Sequence, residues 1–386
     1  MKPLIFFGSG VSRPSGLPDV VRLTEAIFAD RWAKHGDSNF YPKRAGDPPC
    51  AETKRCQEFL RRLLARVEPY YLERRGTAPN YEDLFFLVEQ IQYDELAWDD
   101  NAALQSFRQE TKRLSTDLSR SPNGIDSKFW FQNLTAICLD FIQCIVWHEL
   151  RSINPSVGFD LLRDLTSLPG LEPLVICTVN HDVLVERALR DADIPYIDGF
   201  GKIENCIRFF DPSKFRASAG KAVMVKLHGS INWYRFRPDE GDFHDDRYGI
   251  PTSSYWDNPS VNGRRLTTLD AHPHFLTGSY NKIAQYGAGI FLSQMQEFDR
   301  ALATHSVIVM SGYGWGDKGI NMRLKNWLWE KRGRRILLLY EDLESLRSSK
   351  ALFFQFEDLL GKEMLIPTGK WFCDSQVTDL MPYLSD

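Results

Sequence analysis

Short apolar runs alternate with amphipathic stretches along most of this chain. Five runs of four to six residues predict buried strands, because each is rich in apolar or β-branched residues and ends at a turn. The stretches between them repeat apolar residues at every third or fourth position, which is typical of helices packed on one face. The predicted strands are Leu4–Phe7, Leu174–Thr178, Ala222–Leu227, Ser306–Met310 and Ile336–Tyr340.

Residues 55–150 show helical spacing and no strand pattern. Their clearest apolar stripe consists of Leu134, Ile137, Cys138, Phe141, Ile142, Ile145 and Val146. Further helices are predicted over Glu58–Tyr71, over Ala102–Leu118 and after Asn80, which forms a capping-box start with Asp83. This block stands between the first strand–turn–helix segment and the second strand. We therefore predict that it is inserted into the strand-bearing fold.

The less regular stretches complete the predicted architecture. We predict a loop over His35–Pro49, an edge segment over Asn232–Phe236, an irregular region over Arg237–Tyr280 and a long helix from Ile283 to Leu302. After the last core strand we expect a short helix and an irregular tail. The pattern predicts an α/β, Rossmann-like fold, with helices on both faces of a parallel sheet and a helical insertion domain. The predicted domains are residues 1–54 with 151–345, residues 55–150 and residues 346–386.

Charge and cysteine usage narrow the function classes. Lys and Arg number 47 against 51 Asp and Glu, so no basic surface for nucleic acid is indicated. Seven cysteines without a CxxC pair are typical of reduced thiols and argue against a disulfide framework or a thiolate zinc site. No stretch has the length and composition of a signal peptide or a membrane span. We expect a cytoplasmic protein without direct membrane contact.

Polar or glycine-rich turns follow four of the predicted strands. In chain order they contain Gly8, Ser9 and Gly10, then Asn180 and Asp182, then His228, then Gly312 and Tyr313. Because the carboxyl ends of parallel strands meet at one edge of a sheet, we expect these groups to converge. Each also has an ordinary structural explanation as a tight turn, a helix cap or a buried histidine. The functional alternative is a nucleotide site with His228 as a base.

Four motifs at these strand ends resemble the sirtuin family. GSGVSRPSGLPD from Gly8, TVNHD from Thr178 and LHGS from Leu227 resemble its three NAD-binding signatures, in the same order. GYGWGDKGIN from Gly312 resembles the equivalent late loop in the divergent prokaryotic branch of that family. The resemblance implies a sirtuin-like fold with NAD as its substrate.

The resemblance also implies roles for the matching residues. The residues expected to bind NAD are Gly8, Ser9, Gly10, Ser12, Asp19, Asp182, Gly312 and Tyr313. Within that set, the glycine loop would hold the pyrophosphate, Asp182 the nicotinamide carboxamide and Gly312 with its neighbours the adenosine side. The expected catalytic residues are Asn180 and His228. Asn180 would orient the nicotinamide ribose or a water near its anomeric carbon, and His228 would be the general base.

Two departures from the sirtuin pattern change the expected reaction. Protein deacylases of the family carry four zinc cysteines in two CxxC pairs, but no cysteine lies between Cys206 and Cys373 here, so we expect no zinc. The family's Pro-Asp-Phe-Arg appears as Pro18-Asp19-Val20-Val21, without the phenylalanine that shields the ribosyl intermediate. Without this phenylalanine, we expect water to reach the anomeric carbon of the ribose. Both departures favour hydrolysis over transfer of an acyl group.

The resemblance thus implies an NAD hydrolase that releases nicotinamide and ADP-ribose. Divergent prokaryotic sirtuin-like proteins of this kind deplete NAD in antiphage defence, some of them beside a HerA-like hexameric ATPase. We expect a homo-oligomer with such a partner, and contact with nucleic acid only through that partner. Two alternatives stay open. One is a sensor or scaffold subunit that binds NAD or ADP-ribose in a defence ATPase complex, and the other is a protein deacylase.

Overall fold

The structure is a computed structural model in which the chain divides into two compact units. It describes residues 3–35, 39–95, 105–119, 128–153, 155–168, 173–217, 220–252, 259–270, 272–278, 282–347, 349, 351–352 and 355–384. The first unit comprises Met1–Leu17, Ile153–Leu276 and Lys282–Asp386, and the second comprises Pro18–Ser152 and Thr277–Asn281. Among the described helices, none is both long enough and apolar enough to cross a lipid bilayer.

Fifteen strands and fourteen α-helices are described. The strands are β1 (Pro3–Phe7), β2 (Trp32–His35), β3 (Asn39–Pro42), β4 (Val175–Thr178), β5 (Tyr196–Ile197), β6 (Phe200–Glu204), β7 (Ile207–Phe210), β8 (Ala222–Lys226), β9 (Tyr234–Pro238), β10 (Arg247–Pro251), β11 (Ser260–Val261), β12 (Arg264–Thr268), β13 (Val307–Ser311), β14 (Arg335–Leu339) and β15 (Leu365–Pro367). The helices are α1 (Val20–Phe28), α2 (Ala51–Arg75), α3 (Tyr81–Glu95), α4 (Gln105–Leu114), α5 (Thr116–Ser119), α6 (Lys128–Arg151), α7 (Asp160–Thr166), α8 (Leu184–Asp191), α9 (Lys282–Gln285), α10 (Gly289–Thr304), α11 (Lys318–Glu330), α12 (Glu344–Arg347), α13 (Phe356–Gly361) and α14 (Val377–Leu384).

Seven parallel strands form the central sheet of the first unit. Their order is β15-β14-β13-β1-β4-β8-β5. Every residue of β1 is buried, as expected for a strand covered on both faces. The five predicted strands all lie in this sheet, each within one residue of its predicted bounds. The α/β, Rossmann-like class predicted from the sequence is therefore confirmed.

The order in which strands are added to the sheet reverses next to β1. From β1 the chain passes to β4 and β8 on one side, and it then crosses to β13, β14 and β15 on the other. In open α/β sheets, ligands bind outside the carboxyl ends of the strands at such a reversal. A ligand site is therefore expected at the loops after β1, β4, β8 and β13.

A second sheet corrects the prediction of an irregular region over 237–280. Six antiparallel strands run in the order β11-β12-β9-β10-β7-β6, and β9 lies inside the sheet instead of forming an edge. On β9, Tyr234 and Phe236 are buried, while Arg235 and Arg237 alternate with them and pair with acidic side chains. Because arginines alternate with the aromatic residues, the strand contains no continuous apolar run. Its buried and exposed residues still alternate with the period of two that is typical of a strand.

The predicted long helix and tail of the first unit also need correction. Helix α10 buries Phe291, Met295 and Phe298 as predicted, but Ile283 lies in the separate short helix α9 and is 38% exposed. Beyond Tyr340 the described residues form three α-helices, a 3-10 turn and strand β15, which adds to the central sheet. A three-residue strand is too short to give a readable apolar pattern, so β14 was predicted as the last one.

The second unit is mainly helical and is built around α6. The apolar stripe predicted on this helix is buried, apart from the partly buried Ile137. Asn80 and Asp83 form the predicted capping box, with Asn80 Oδ1 accepting from the Glu82 N–H at 2.9 Å and Asp83 Oδ2 accepting from the Asn80 N–H at 3.1 Å. The helix predicted over 102–118 is divided into α4 and α5, and residues 102–104 lie outside the described residues.

The predicted loop over 35–49 contains a strand instead. Strands β2 and β3 form an antiparallel hairpin in which Trp32 pairs with Pro42. Trp32 and Phe40 are each 1% exposed, so burial of two large rings stabilises the hairpin. In the sequence, the Gly, Pro and charged residues around Trp32 and Phe40 predicted a loop.

Candidate functional site

The loops after β1 and β13 meet through glycine backbone. The Gly8 N–H donates to the Ser311 carbonyl oxygen, and the Gly10 N–H donates to the Gly312 carbonyl oxygen, both at 3.0 Å. A Cβ on Gly312 would lie 2.3 Å from the Val11 nitrogen, and Gly312 has a φ of +71°, which L side chains rarely adopt. Glycine is therefore required for close approach of the two loops. The N–H groups of Gly8 and Gly10 are engaged within the protein.

Ser12 joins the loop after β1 to the loop after β4. Its side chain is fully buried, and its hydroxyl donates to Asp182 Oδ2 at 3.0 Å while accepting from Asn180 Nδ2 at 3.2 Å. Asn180 Nδ2 also donates to the Gly8 carbonyl oxygen at 3.1 Å. Asp182 Oδ1 accepts from the Leu184 N–H at 3.0 Å, at the start of helix α8. Three predicted site residues, Ser12, Asn180 and Asp182, thus form one buried network.

One atom of this network is left without a partner. Asn180 Oδ1 is buried and accepts no hydrogen bond from any described residue, although the amide nitrogen of the same side chain has two acceptors. An unpartnered buried acceptor costs about 1–3 kcal/mol, and in native proteins such an atom calls for a water or a ligand. Oδ1 is therefore the atom of the network best suited to contact a bound molecule.

A buried ion pair supports the loop that carries Asn180 and Asp182. Lys226, at the end of β8, is 2% exposed, and its Nζ donates to Glu186 Oε1 at 2.8 Å and to the Asp182 carbonyl oxygen. Burial raises the pKa of Glu186, and the Lys226 ammonium partly offsets that rise. The pair ties β8, α8 and the loop after β4 to one another.

His228 follows β8 and belongs to a second buried network. Its Nε2 lies 2.7 Å from the Tyr286 hydroxyl oxygen and 3.1 Å from Asp317 Oδ2, and the Tyr286 hydroxyl donates to the same carboxylate oxygen at 2.5 Å. Burial alone would raise the pKa of Asp317, but hydrogen bonds from His228 and Tyr286 and the charge of His228 lower it overall. Burial, followed by the Asp317 charge, raises the pKa of Tyr286. Asp317 is therefore a carboxylate and Tyr286 a neutral phenol at pH 7.

His181 lies beside the His228 network. Its ring centroid is 6.0 Å from that of His228 and 4.8 Å from that of Phe275. Burial, followed by the charge of His228, lowers the pKa of His181 well below 6.5, so its imidazole is neutral at pH 7. The Nδ1 atom of His181 is buried and has no partner within the described part of the chain. It is a second buried polar atom that a bound molecule can satisfy.

A cavity of about 400 Å³ lies at the β1–β13 crevice, where the sheet order reverses. Its lining residues are Gly10, Val11, Arg13, Pro14, Ser311, Trp371, Phe372 and Cys373. Burial raises the pKa of Cys373 to about 11, so its thiol is neutral at pH 7 and the only charge in this lining set is that of Arg13. The loop after β1 therefore lines the cavity with some residues and enters the buried network with Ser12.

Three of the predicted NAD-binding residues have other settings. Asp19 belongs to the second unit, where its Oδ1 accepts from the Arg22 N–H at 2.9 Å and caps α1. Tyr313 is buried, and its hydroxyl donates to Asn321 Oδ1 at 2.7 Å. Ser9 is exposed at the start of a 3-10 turn. Contact of these residues with NAD stays a prediction.

The sequence analysis missed the partners of His228. Tyr286 lies 58 residues from His228 in the chain, directly after α9, and no local pattern marks it. Asp317 ends the glycine-rich stretch that was noted, and its Oδ1 accepts from the Ile320 N–H at 2.9 Å as the cap of α11. An acidic residue between a glycine loop and a helix is the signal that could have drawn attention to it. Lys226, Arg13 and Trp371 were missed as well.

The segment between Cys206 and Cys373, for which no zinc site is expected, contains most of the antiparallel sheet. Strands β9 to β12 belong to the antiparallel sheet, and two ion pairs link it to its connections: Arg235 with Asp270 and Arg237 with Asp246, each at 2.6 Å. Among the residues that the structure describes, no group of three or more His, Cys, Asp or Glu side chains is placed to hold a metal ion.

Comparison with known proteins finds a family match for part of the chain. Residues 174–357 match the family described as the SIR2-like domain, and this range contains Asn180, Asp182, His228 and Gly312. The structure is similar to a Sir2 homologue mutant in complex with ADP ribose, at 13% identity over 94% of this chain and 91% of that chain, with a TM-score of 0.34. It is also similar to a Sir2 homologue in complex with NAD, at 13% identity over 94% and 89% of the two chains, with a TM-score of 0.32. No curated protein sequence matches the chain.

Proposed function

We propose that this chain binds NAD at the loop edge of its parallel sheet and hydrolyses the bond between nicotinamide and ribose. The loop after β1 supports this most directly, because Gly10, Val11 and Arg13 line the cavity while Ser12 bonds to Asn180 and Asp182. A dinucleotide lying along this loop would have one end in the cavity and the other at the buried network. The SIR2-like match over residues 174–357 supports NAD as that dinucleotide.

The proposed reaction needs a positioned water and a base. The bond between ribose C1′ and the nicotinamide nitrogen breaks, and its electron pair stays on that nitrogen, which removes the positive charge of the pyridinium ring. Water adds to C1′ and loses a proton, giving nicotinamide, ADP-ribose and H⁺. Asn180 would orient the water or a ribose hydroxyl through its unpartnered Oδ1, and His228 would accept the proton.

The test is nicotinamide release from NAD by the purified full chain, followed by chromatography. We expect release by the wild-type protein and a loss of about 100-fold or more in Asn180→Ala and in His228→Ala, since a positioned base typically contributes 10²–10⁴-fold. His244→Ala is the matched control, because His244 is exposed in a 3-10 turn of the antiparallel sheet region. Unchanged turnover in both site variants would contradict the proposal.

One observation favours a second candidate, a subunit that binds NAD or ADP-ribose without cleaving it. His228 is 4% exposed, and its Nε2 already contacts Tyr286 and Asp317. Calorimetry with NAD and with ADP-ribose separates the two candidates. Tight binding without nicotinamide release, alone and with a partner ATPase, would establish the binding subunit. NAD-dependent removal of acetyl from a lysine peptide would instead establish the deacylase alternative.

We further propose that the hydrolase acts in antiphage defence, as a cytoplasmic homo-oligomer beside a HerA-like hexameric ATPase that contacts nucleic acid. The support is the similarity of GYGWGDKGIN to the late loop of divergent prokaryotic sirtuin-like proteins. Co-expression with a HerA-like ATPase encoded beside the chain should give one complex on size-exclusion chromatography. Cells carrying both proteins should resist phage, and Asn180→Ala should abolish the resistance. Equal plaque counts with and without the pair would reject the role.

A further inference from the structure

The hydrogen-bond donors and acceptors beside His228 determine which nitrogen of its ring carries the proton. Among the described residues, two oxygen atoms lie within hydrogen-bond distance of Nε2, the Tyr286 hydroxyl at 2.7 Å and Asp317 Oδ2 at 3.1 Å. The single Tyr286 proton is donated to Asp317 at 2.5 Å, which leaves the hydroxyl only as an acceptor toward His228. The Asp317 carboxylate has no proton to give. Both of these described neighbours are therefore acceptors, and Nε2 is the donor toward them.

We propose that Asp317 and Tyr286 are positioning residues that hold His228 with its proton on Nε2, so that Nδ1 is the basic atom of the site. In a neutral imidazole only one nitrogen has a lone pair for a proton, and donation from Nε2 assigns that lone pair to Nδ1. The assignment of Nδ1 as the base in NAD hydrolysis rests on the proposed function. The tautomer itself follows from the contacts alone.

Asp317 is held in place by the helix that it caps. Its Oδ1 accepts from the Ile320 N–H at 2.9 Å, while Oδ2 receives His228 and Tyr286. The N-terminus of a helix stabilises a carboxylate, so α11 favours the charged form that the network needs. Each carboxylate oxygen thus has a separate task, one toward the helix and the other toward the imidazole.

In the described part of the chain, three elements place titratable groups beside the His228 ring. Tyr286 follows α9, Asp317 precedes α11 and His181 follows β4. Among these, Asp317 is the anion in direct contact with the ring. A carboxylate at this distance stabilises the imidazolium that forms when Nδ1 accepts a proton. Removing its charge should therefore weaken the base without emptying the site.

The first experiment reads the tautomer without using enzyme activity. Long-range ¹H–¹⁵N correlation spectra of protein labelled with ¹⁵N-histidine distinguish a protonated from an unprotonated ring nitrogen. His228→Gln identifies the His228 signals. At a pH at which His228 is neutral, we expect Nε2–H in the wild-type protein and a mixture of tautomers in Asp317→Asn. Asparagine keeps the helix cap but can present an N–H to the ring. A wild-type signal from Nδ1–H would overturn the proposal.

The second experiment asks what the tautomer does for NAD cleavage. In Asp317→Asn we expect kcat to fall by about 10²–10⁴-fold with a less than threefold change in the NAD dissociation constant. The acid limb of the kcat–pH profile should move down by about one unit, because the imidazolium loses its anion. Tyr286→Phe keeps the ring and the His228–Asp317 contact, so a loss below about tenfold is expected. Asp358→Asn, at an exposed position in α13, is the matched control.

The outcomes separate this inference from the proposed function. If the wild-type chain cleaves no NAD but Asp317→Asn still changes the His228 tautomer, the tautomer stands and the hydrolase proposal fails. If NAD is cleaved and Asp317→Asn leaves kcat, the acid limb and the tautomer unchanged, the positioning role is rejected. A thermal melt of each variant shows whether it is folded. Should Asp317→Asn not fold, Tyr286→Phe decides, because a fully unchanged spectrum and kcat there would reject the role of Tyr286.

Discussion

The loop edge of the central sheet has two ends of opposite character. At the β4–β8 end, Asn180, Asp182 and His228 are buried and connected to neighbouring side chains by hydrogen bonds. At the β1–β13 end, a cavity of about 400 Å³ is lined by small, apolar and aromatic residues, together with Arg13. Both ends use the loop after β1, yet one end is filled with protein and the other with space.

This difference predicts that the buried network organises the reaction and that the cavity contributes binding affinity. Polar groups fixed in a buried network need no rearrangement when charge develops, which is how preorganised sites favour a reaction. A cavity gains affinity by being filled and contributes little when it is not. Substitutions at the β4–β8 end should therefore cost stability or turnover. Substitutions at the β1–β13 end should change affinity and leave the fold alone.

The largest expected effect is loss of the buried cation at the β4–β8 end. Lys226→Met should lower the free energy of unfolding by about 3–5 kcal/mol, because Glu186 would be left buried beside no positive charge. Urea unfolding at pH 7 measures the change. Adding Glu186→Gln to this variant should recover part of the loss. A single-variant loss below 1 kcal/mol would show that the network does not depend on this pair.

The next effect tests the backbone contact that both ends share. Gly312→Ala should cost about 2–3 kcal/mol, because its Cβ would lie 2.3 Å from the Val11 nitrogen and its φ is +71°. Gly314→Ala, two residues along the same loop, is the control, since a Cβ there meets nothing within 4 Å. Equal unfolding free energies for the two variants would mean that the loops separate without cost.

Acid should weaken the β4–β8 end first. The pKa of His181 is lowered well below 6.5 by burial and by the charge of His228. Above pH 6.5 the contribution of His181 to the free energy of unfolding is therefore fully present. Below it the unfolded chain binds a proton that the folded site rejects, and stability falls by at most about 1.4 kcal/mol per pH unit.

Unfolding free energies at pH 7, 6 and 5 measure this acid effect of His181. His181→Phe keeps an aromatic ring against Phe275 and should flatten the part of the profile that belongs to His181. A variant profile parallel to that of the wild type would assign the acid effect to other groups.

The smallest expected effect lies at the β1–β13 end. Arg13→Ala should weaken NAD binding by about threefold to tenfold, the range expected for one exposed cation near a phosphate. Its unfolding free energy should stay within about 0.5 kcal/mol of the wild type, since Arg13 is exposed. Calorimetry at 50 and 300 mM salt tests the charge, because added salt should reduce the difference between the two proteins. A large loss of stability instead would make Arg13 part of the fold.

The fold could be predicted from the sequence where apolar runs are continuous. Strands such as β1 and β13 are apolar through most of their length, so a short apolar run bounded by turns marks them. It failed at the edges, where β5 has two residues and β15 three, and in the antiparallel sheet, where arginines alternate with aromatic residues. Those arginines are tolerated because acidic residues distant in the chain neutralise them, as Asp270 does for Arg235. Pairings of this kind leave no local pattern.

The candidate site was predictable in its strand-end residues and unpredictable in its partners. Asn180, Asp182 and His228 stand directly after apolar runs, so topology alone placed them at one edge. Tyr286 reaches His228 across 58 residues, and a tertiary contact of this kind leaves no local pattern in the sequence. Asp19 belongs to the second unit, and its contact with NAD stays a prediction.

The segment from Ser311 to Asp317 has a consequence for how far the two ends of the edge can separate. Ser311 lines the cavity and Asp317 contacts His228, so one short piece of backbone begins at the first and ends at the second. Six residues of extended chain reach about 20 Å at most. The two ends of the edge therefore cannot move further apart than this while the chain is intact. The length of this segment therefore limits how far the Ser311 side of the cavity can separate from the His228 network.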